Sequence, residues 1–279
     1  MQKENLFIEA RQLIAEFREQ KKMSNVKIAA KVGVSNAILT FINNDQTEMV
    51  SEEMLLKIIN GLKPKTGFNI IRTSNFNTIC GICNDSSKMH KLTAIIGYTG
   101  AGKTTALSDY YRNTKDAFYV ECKNTMNRKQ FFHKVLSEMG INFMGTVYEM
   151  VNMIANELNT RKNPLLIIDE AGKLSGTIIL DLHDLRNATM NNAGIIMAGC
   201  EYFQKNMTRA AEKDKTGYPE FYSRIVNWHI LNRPTKAEIS AIYENNGLTD
   251  NEIIKDFLRL SNYRQVYNSI INERGIYEL

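Results

Sequence analysis

The stretch Leu92-Thr93-Ala94-Ile95-Ile96-Gly97-Tyr98-Thr99-Gly100-Ala101-Gly102-Lys103-Thr104 decides the fold. Its first five residues read as a short buried strand, and Gly-x-x-x-x-Gly-Lys-Thr is the phosphate-binding pattern between a strand and a helix. The glycines let backbone N–H groups turn inward around phosphates. Lys103 is expected to reach the β- and γ-phosphates and Thr104 to offer its hydroxyl to Mg²⁺, while the helix N-terminus adds partial positive charge. Gly97, Tyr98, Thr99, Gly100, Ala101, Gly102, Lys103, Thr104 and Thr105 form the expected nucleotide-contacting set. A chance glycine-rich turn would not require this spacing or this context.

Outward from the loop, apolar runs alternate with amphipathic ones. Leu92–Ile96, Ala117–Glu121, Leu165–Ile168 and Ala193–Ala198 predict strands. Thr104–Arg112, Arg128–Met139, Thr146–Leu158 and Thr177–Ala188 predict helices between them. This alternation argues an α/β fold with a parallel sheet. The strand Leu165-Leu166-Ile167-Ile168 ends in Asp169-Glu170. A carboxylate at the carboxyl end of such a strand lies beside the phosphate loop. Asp169 is expected to hold Mg²⁺, mostly through water, and Glu170 to orient and deprotonate the attacking water.

The Asp-Glu pair, the short core and the helical tail resemble the AAA+ ATPases. No guanine-reading Asn/Thr-Lys-x-Asp follows a later strand, so ATP is the expected nucleotide. By this resemblance Cys200, after Ile195-Ile196-Met197-Ala198-Gly199, occupies the first sensor position, where Asn, Thr or Ser is usual. Ser223-Arg224 resembles the pair that presents an arginine finger to a neighbouring subunit, with Arg209 as its rival. Leu260-Ser261-Asn262-Tyr263-Arg264 resembles the second sensor of a lid. A finger acting in trans implies a homo-oligomer with ATP at subunit interfaces.

Residues 1–63 read as all helix. Asn25–Val32, capped by Ser24, turns at Gly33 into a helix capped by Ser35 and running to Asn43. The spacing of Ala29 and Gly33 resembles a helix-turn-helix of the phage Cro/repressor type. Ser35, Asn36, Thr40 and Asn43 would face a major groove, with Lys27, Lys31, Lys21 and Lys22 beside phosphates. The alternative is a protein-binding helix bundle of the same shape. Lys123, Thr125, Arg128 and Lys129, after the second strand, suggest a phosphate-tracking surface. The resemblance places that segment at a central channel; a solvated basic turn is the other reading.

The expected organisation is a helix-turn-helix domain (1–63), an ATPase core (64–232) and a helical lid (233–279), with Gly61-Leu62-Lys63-Pro64-Lys65-Thr66-Gly67-Phe68 as linker. The 279 residues carry 43% hydrophobic and 23% charged side chains, which excludes a collagen-like or wholly disordered chain. Formal charge is +5, of which residues 1–63 hold only +1. Such a charge permits an anionic partner without demonstrating one. Four cysteines suit a reducing cytoplasm. Cys80-Gly81-Ile82-Cys83 lacks the second pair that a zinc site usually needs, so these read as structural thiols. The charged N-terminus has no apolar h-region, and no apolar run spans a membrane.

A helix-turn-helix joined to a short AAA+ core resembles the transposition-helper family of phage Mu B, TnsC and IstB. That resemblance implies an ATP-dependent, non-sequence-specific DNA binder. It would form helical filaments or rings on double-stranded DNA and recruit a transposase. A helicase loader or replication initiator, a secretion-associated or signalling ATPase, and a nucleotide-switched transcription regulator are the alternatives.

Overall fold

The computed structural model describes residues 2–62, 70–248 and 250–274. Four helices form the head: α1 (Gln2–Lys21), α2 (Asn25–Val32), α3 (Asn36–Asn43) and α4 (Glu52–Leu62). Ser24 caps α2 by accepting the Lys27 N–H, and Gly33 turns the chain at φ +72°. Only a residue without Cβ adopts that conformation freely, so the turn expected from sequence forms there. Ile28, Val32, Leu39 and Ile42 are buried between the helices. Gly61 and Leu62 belong to α4, and the rest of the linker stretch, with the 63/64 boundary, lies outside the described residues. Gly61 is where α4 meets α2, and a Cβ there would sit 3.0 Å from Val32 Cγ1.

The body alternates α5 (Ser74–Lys88), β1 (Leu92–Ile96), α6 (Lys103–Asn113), β2 (Ala117–Glu121), α7 (Arg128–Glu138), α8 (Val147–Asn159), β3 (Leu165–Asp169), α9 (Gly176–Thr189), β4 (Gly194–Gly199), α10 (Glu201–Glu212), α11 (Tyr218–Ser223) and β5 (Ile225–Ile230). The lid adds α12 (Lys236–Asn245), α13 (Asn251–Phe257) and α14 (Tyr263–Arg274). The five strands are all parallel, in the order β2-β3-β4-β1-β5. The fold is α/β, as the alternation predicts. β5 is an addition to the expected strands: Val226, Asn227 and Ile230 are exposed on this edge strand, so it lacks the apolar run of a buried one.

Strand alternation divides the core between the two sheet faces. Phe118, Val120, Leu166 and Ile168 meet α7, α8 and α9 on one face. Ala117, Tyr119, Leu165 and Ile167 face α6 on the other, where the apolar cluster runs on without a break into Ile14, Phe17 and Ile28 of the head. The head is therefore docked on the body. Ile239, Ile242, Tyr243, Val266 and Ile270 form a separate lid core. Among the described residues no helix is long and apolar enough to cross a membrane.

Candidate functional site

The phosphate loop leaves β1 and closes at the first residue of α6. Gly100 and Gly102 take φ of +85° and +84°, the left-handed turns the pattern requires. Lys103 is 6% exposed, and its Nζ donates to the Gly97 and Tyr98 carbonyls at 2.6 and 3.1 Å. These bonds hold the ammonium over the mouth of the loop. The loop opens into a cavity of about 680 Å³, walled on one side by Thr104, Thr105 and Glu170 and on the other by Tyr263 and Arg264 of the lid.

Asp169 ends β3 with no exposed surface. Its Oδ2 accepts from the Thr104 hydroxyl at 2.7 Å, and its Oδ1 accepts the Glu170 N–H at 2.8 Å. Burial raises the Asp169 carboxyl above the ordinary range, and the Thr104 and Tyr119 hydroxyls and the Glu170 N–H oppose that rise. A desolvated carboxylate touching a hydroxyl beside the loop is the hard-oxygen donor set that suits Mg²⁺. The two residues expected to share the metal are therefore brought together.

Glu170 turns away from the strand at φ +56°, a conformation uncommon outside glycine, which carries its carboxylate to the cavity wall. Lys173, three residues on, pairs with it at 3.2 Å. Cys200 follows β4 at the cavity wall, its Sγ 3.8 Å from Thr99 Oγ1 and 4.0 Å from Lys103 Nζ. The residue expected as the first sensor therefore lines the same cavity as the phosphate loop.

The lid is fastened to the loop by backbone. Tyr263 N–H donates to the Gly100 carbonyl at 2.9 Å. A Cβ at Gly100 would lie 2.8 Å from Asn262 Oδ1 and 3.0 Å from Arg264 Cβ, so glycine permits the close approach. Arg224 is exposed between α11 and β5. Ile225 pairs with Leu92, at the end of β1 away from the loop. A strand length, about 16 Å at roughly 3.3 Å per residue, separates Arg224 from its own phosphate loop. Arg209 is exposed on α10.

The residues expected at DNA divide. Ser35, Asn36 and Thr40 are exposed on the head, and Asn43 accepts from Arg18 at 3.1 Å. Lys31 is not a surface cation here: it is 9% exposed and paired with Glu138 of α7. Lys27 lies 3.8 Å from Glu157 of α8. Both lysines face the body, on which α2 packs beside α1. Lys123, Thr125 and Lys129 are exposed, whereas Arg128 makes a bidentate pair with Asp181 of α9. Cys83 is buried and Cys80 half-buried on α5.

Sequence reasoning missed Tyr119, whose hydroxyl donates to Asp169, and Lys173 beside Glu170. A phenol inside an otherwise apolar strand, and a lysine three residues after the acid, were the available signals.

Residues 87–207 match the family described as an AAA domain. No curated protein matches the chain. Among solved structures it is similar to the Aeropyrum pernix ORC1 protein in complex with DNA, at 11% identity and a TM-score of 0.56, covering 76% of this chain and 63% of that one. The Aeropyrum pernix ORC2 protein in ADPNP–ADP complexes gives 15% identity and a TM-score of 0.51 over 67% of this chain and 54% of that one. NtrX from Brucella abortus gives 13% and 0.50 over 87% and 58%. The chain thus spans less than two thirds of the length of each. At these identities the likeness is one of fold, and the family match is coarser than a transposition-helper assignment. Over residues 87–207 the α/β body is similar to an AAA domain, and it shares the fold of these solved structures.

Proposed function

We propose that the chain is an ATP hydrolase that assembles on DNA, with ATP at the interfaces between identical subunits, as a replication-initiator or helicase-loader type of factor. One observation carries the assembly: Lys103, Thr104, Asp169, Glu170, Cys200 and Arg264 belong to one site, while Arg224 lies a strand length away. A finger from Arg224 can reach only a neighbour's γ-phosphate. The DNA-bound ORC1 neighbour supports DNA as the partner and the initiator class.

In the proposed reaction Glu170 accepts a proton from water as its oxygen attacks the γ-phosphorus. The bond from that phosphorus to the β,γ-bridging oxygen breaks, giving ADP and phosphate. Lys103, Cys200, Arg264 and the neighbour's Arg224 surround the transferring group, and charge neutralisation by the cations is the main catalytic effect. Thr104 and Asp169 would hold Mg²⁺, which supplies further neutralisation of the phosphates when bound.

Ser35, Asn36 and Thr40 are proposed to meet the major groove, with Lys123, Thr125 and Lys129 tracking phosphates. Lys27 and Lys31 join them only when the head leaves the body. A second reading, a transposition helper that recruits a transposase, is carried by the pairing of a helix-turn-helix with this core. Electron microscopy tests the shared proposal: rings or filaments on duplex DNA with ATP, lost in Lys103→Ala, are expected. Tight sequence-specific binding without ATP overturns it. ATPase stimulation by a replicative helicase selects the first client and stimulation by a transposase the second.

A further inference from the structure

Tyr119 lies in β2, whose register sets Tyr119 beside Ile167 and Glu121 beside Asp169. Alternation turns Tyr119 and Asp169 to the same face, one diagonal apart. The Tyr119 hydroxyl donates to Asp169 Oδ2 at 2.9 Å, the oxygen that also accepts from Thr104 at 2.7 Å.

The ring is held from behind. Tyr111 of α6 lies 5.9 Å away, centroid to centroid. The Tyr111 hydroxyl donates to Glu138 Oε2 at 3.2 Å, and Glu138 is clamped by Lys31 of the head and by Lys134. Tyr119 therefore reaches the end of β3 with little freedom, from a strand that contributes nothing to the phosphate loop.

We propose that Tyr119 is a positioning residue for the metal carboxylate, holding Asp169 so that the oxygen shared with Thr104 is presented to the cation of Mg·ATP. This deepens the ATP-site reading and rests on it. The hydroxyl supplies one of three donors to Asp169, and without it Oδ2 keeps only the Thr104 hydroxyl, the group expected to turn to the cation. Partners of metal-binding carboxylates characteristically change metal affinity by about 10–100-fold when removed.

The test is Tyr119→Phe in the full chain, which keeps the packed ring and removes one oxygen. A fluorescent ATP analogue is titrated with Mg²⁺ and, separately, with EDTA. Expected is EDTA affinity within about twofold of wild type, and a Mg²⁺-dependent gain reduced about tenfold. A gain equal to wild type overturns the inference. Equal loss with and without metal also overturns it, because that is the signature of a general structural role. If wild type binds no analogue in either condition, the ATP-site reading fails and the inference with it; if it binds without a Mg²⁺-dependent gain, the inference alone is overturned.

Discussion

Lys31 of the head is buried against Glu138 of the body, and its ammonium also lies 5.0 Å from the centre of the Tyr111 ring. A lysine expected at DNA phosphates therefore holds a protein carboxylate instead. Lys27 repeats the pattern with Glu157, and the Ser137 hydroxyl donates to the Ala30 carbonyl at 3.3 Å to fix the same helix.

Glu138→Gln leaves the Lys31 charge without its full partner in a dry interface. Breaking such a pair costs roughly 3 kcal/mol. Hydrogen exchange at the amides of α2 is expected to rise, and DNA affinity to increase several-fold as Lys27 and Lys31 become available. Faster exchange with unchanged DNA affinity would remove these lysines from the proposed DNA surface.

Acid should undo the same contact. Burial would raise the Glu138 carboxyl, but Lys31 and Lys134 overcome it and hold the group below its ordinary 4.5. A carboxylate with a lowered folded value contributes stability above its unfolded value and loses it as pH falls through the folded one. Docking of the head is expected to be intact at neutral pH and to weaken below about 4.5, first visible as α2 exchange. Glu138→Gln should flatten that dependence.

Glu170→Gln removes the proposed base but retains the side-chain volume. Turnover should fall at least about 100-fold while ATP-stabilised assemblies on DNA persist. Retained turnover would mean that another group takes the proton.

Arg224→Ala should lower assembly-dependent hydrolysis by about a thousandfold with single-subunit ATP binding preserved. Mixing it with Glu170→Gln subunits should restore part of the activity, since some interfaces then join an intact Arg224 to an intact Glu170. Failure of the mixture to recover activity argues against a trans finger.

Gly194 begins β4 against α5, where a Cβ would sit 2.3 Å from the Ser86 backbone oxygen. Gly194→Ala should destabilise the body by about 1–3 kcal/mol, read as a lower denaturation midpoint. An unchanged midpoint would show that α5 can shift at this point.

Much of this fold was legible because its signals are local. Gly97–Thr104 specifies its own turn through glycine and the start of a helix. Leu165–Asp169 announces a buried strand by its apolar run, and Ser24, Ala29 and Gly33 write the head's turn into a few residues. These depend on backbone conformation and periodicity, which neighbours in sequence control. The Thr104–Asp169 contact also followed, because strands entering a parallel sheet bring their carboxyl ends to one edge.

Other features depended on pairing across the chain. β5 is a strand because β1 offers it an edge, although its own side chains lie largely in water. Tyr119 became a partner of Asp169 through the β2–β3 register, and Arg224 was separated from its own loop by the direction of β1. Lys27 and Lys31 have the composition of phosphate contacts, but docking of α2 on α7 and α8 gave them carboxylates. Sequence alone determined which groups can bind phosphate and where the chain turns. Tertiary structure decided which partner Lys31 and Arg128 meet, because those partners lie 107 and 53 residues away and only packing brings them within reach.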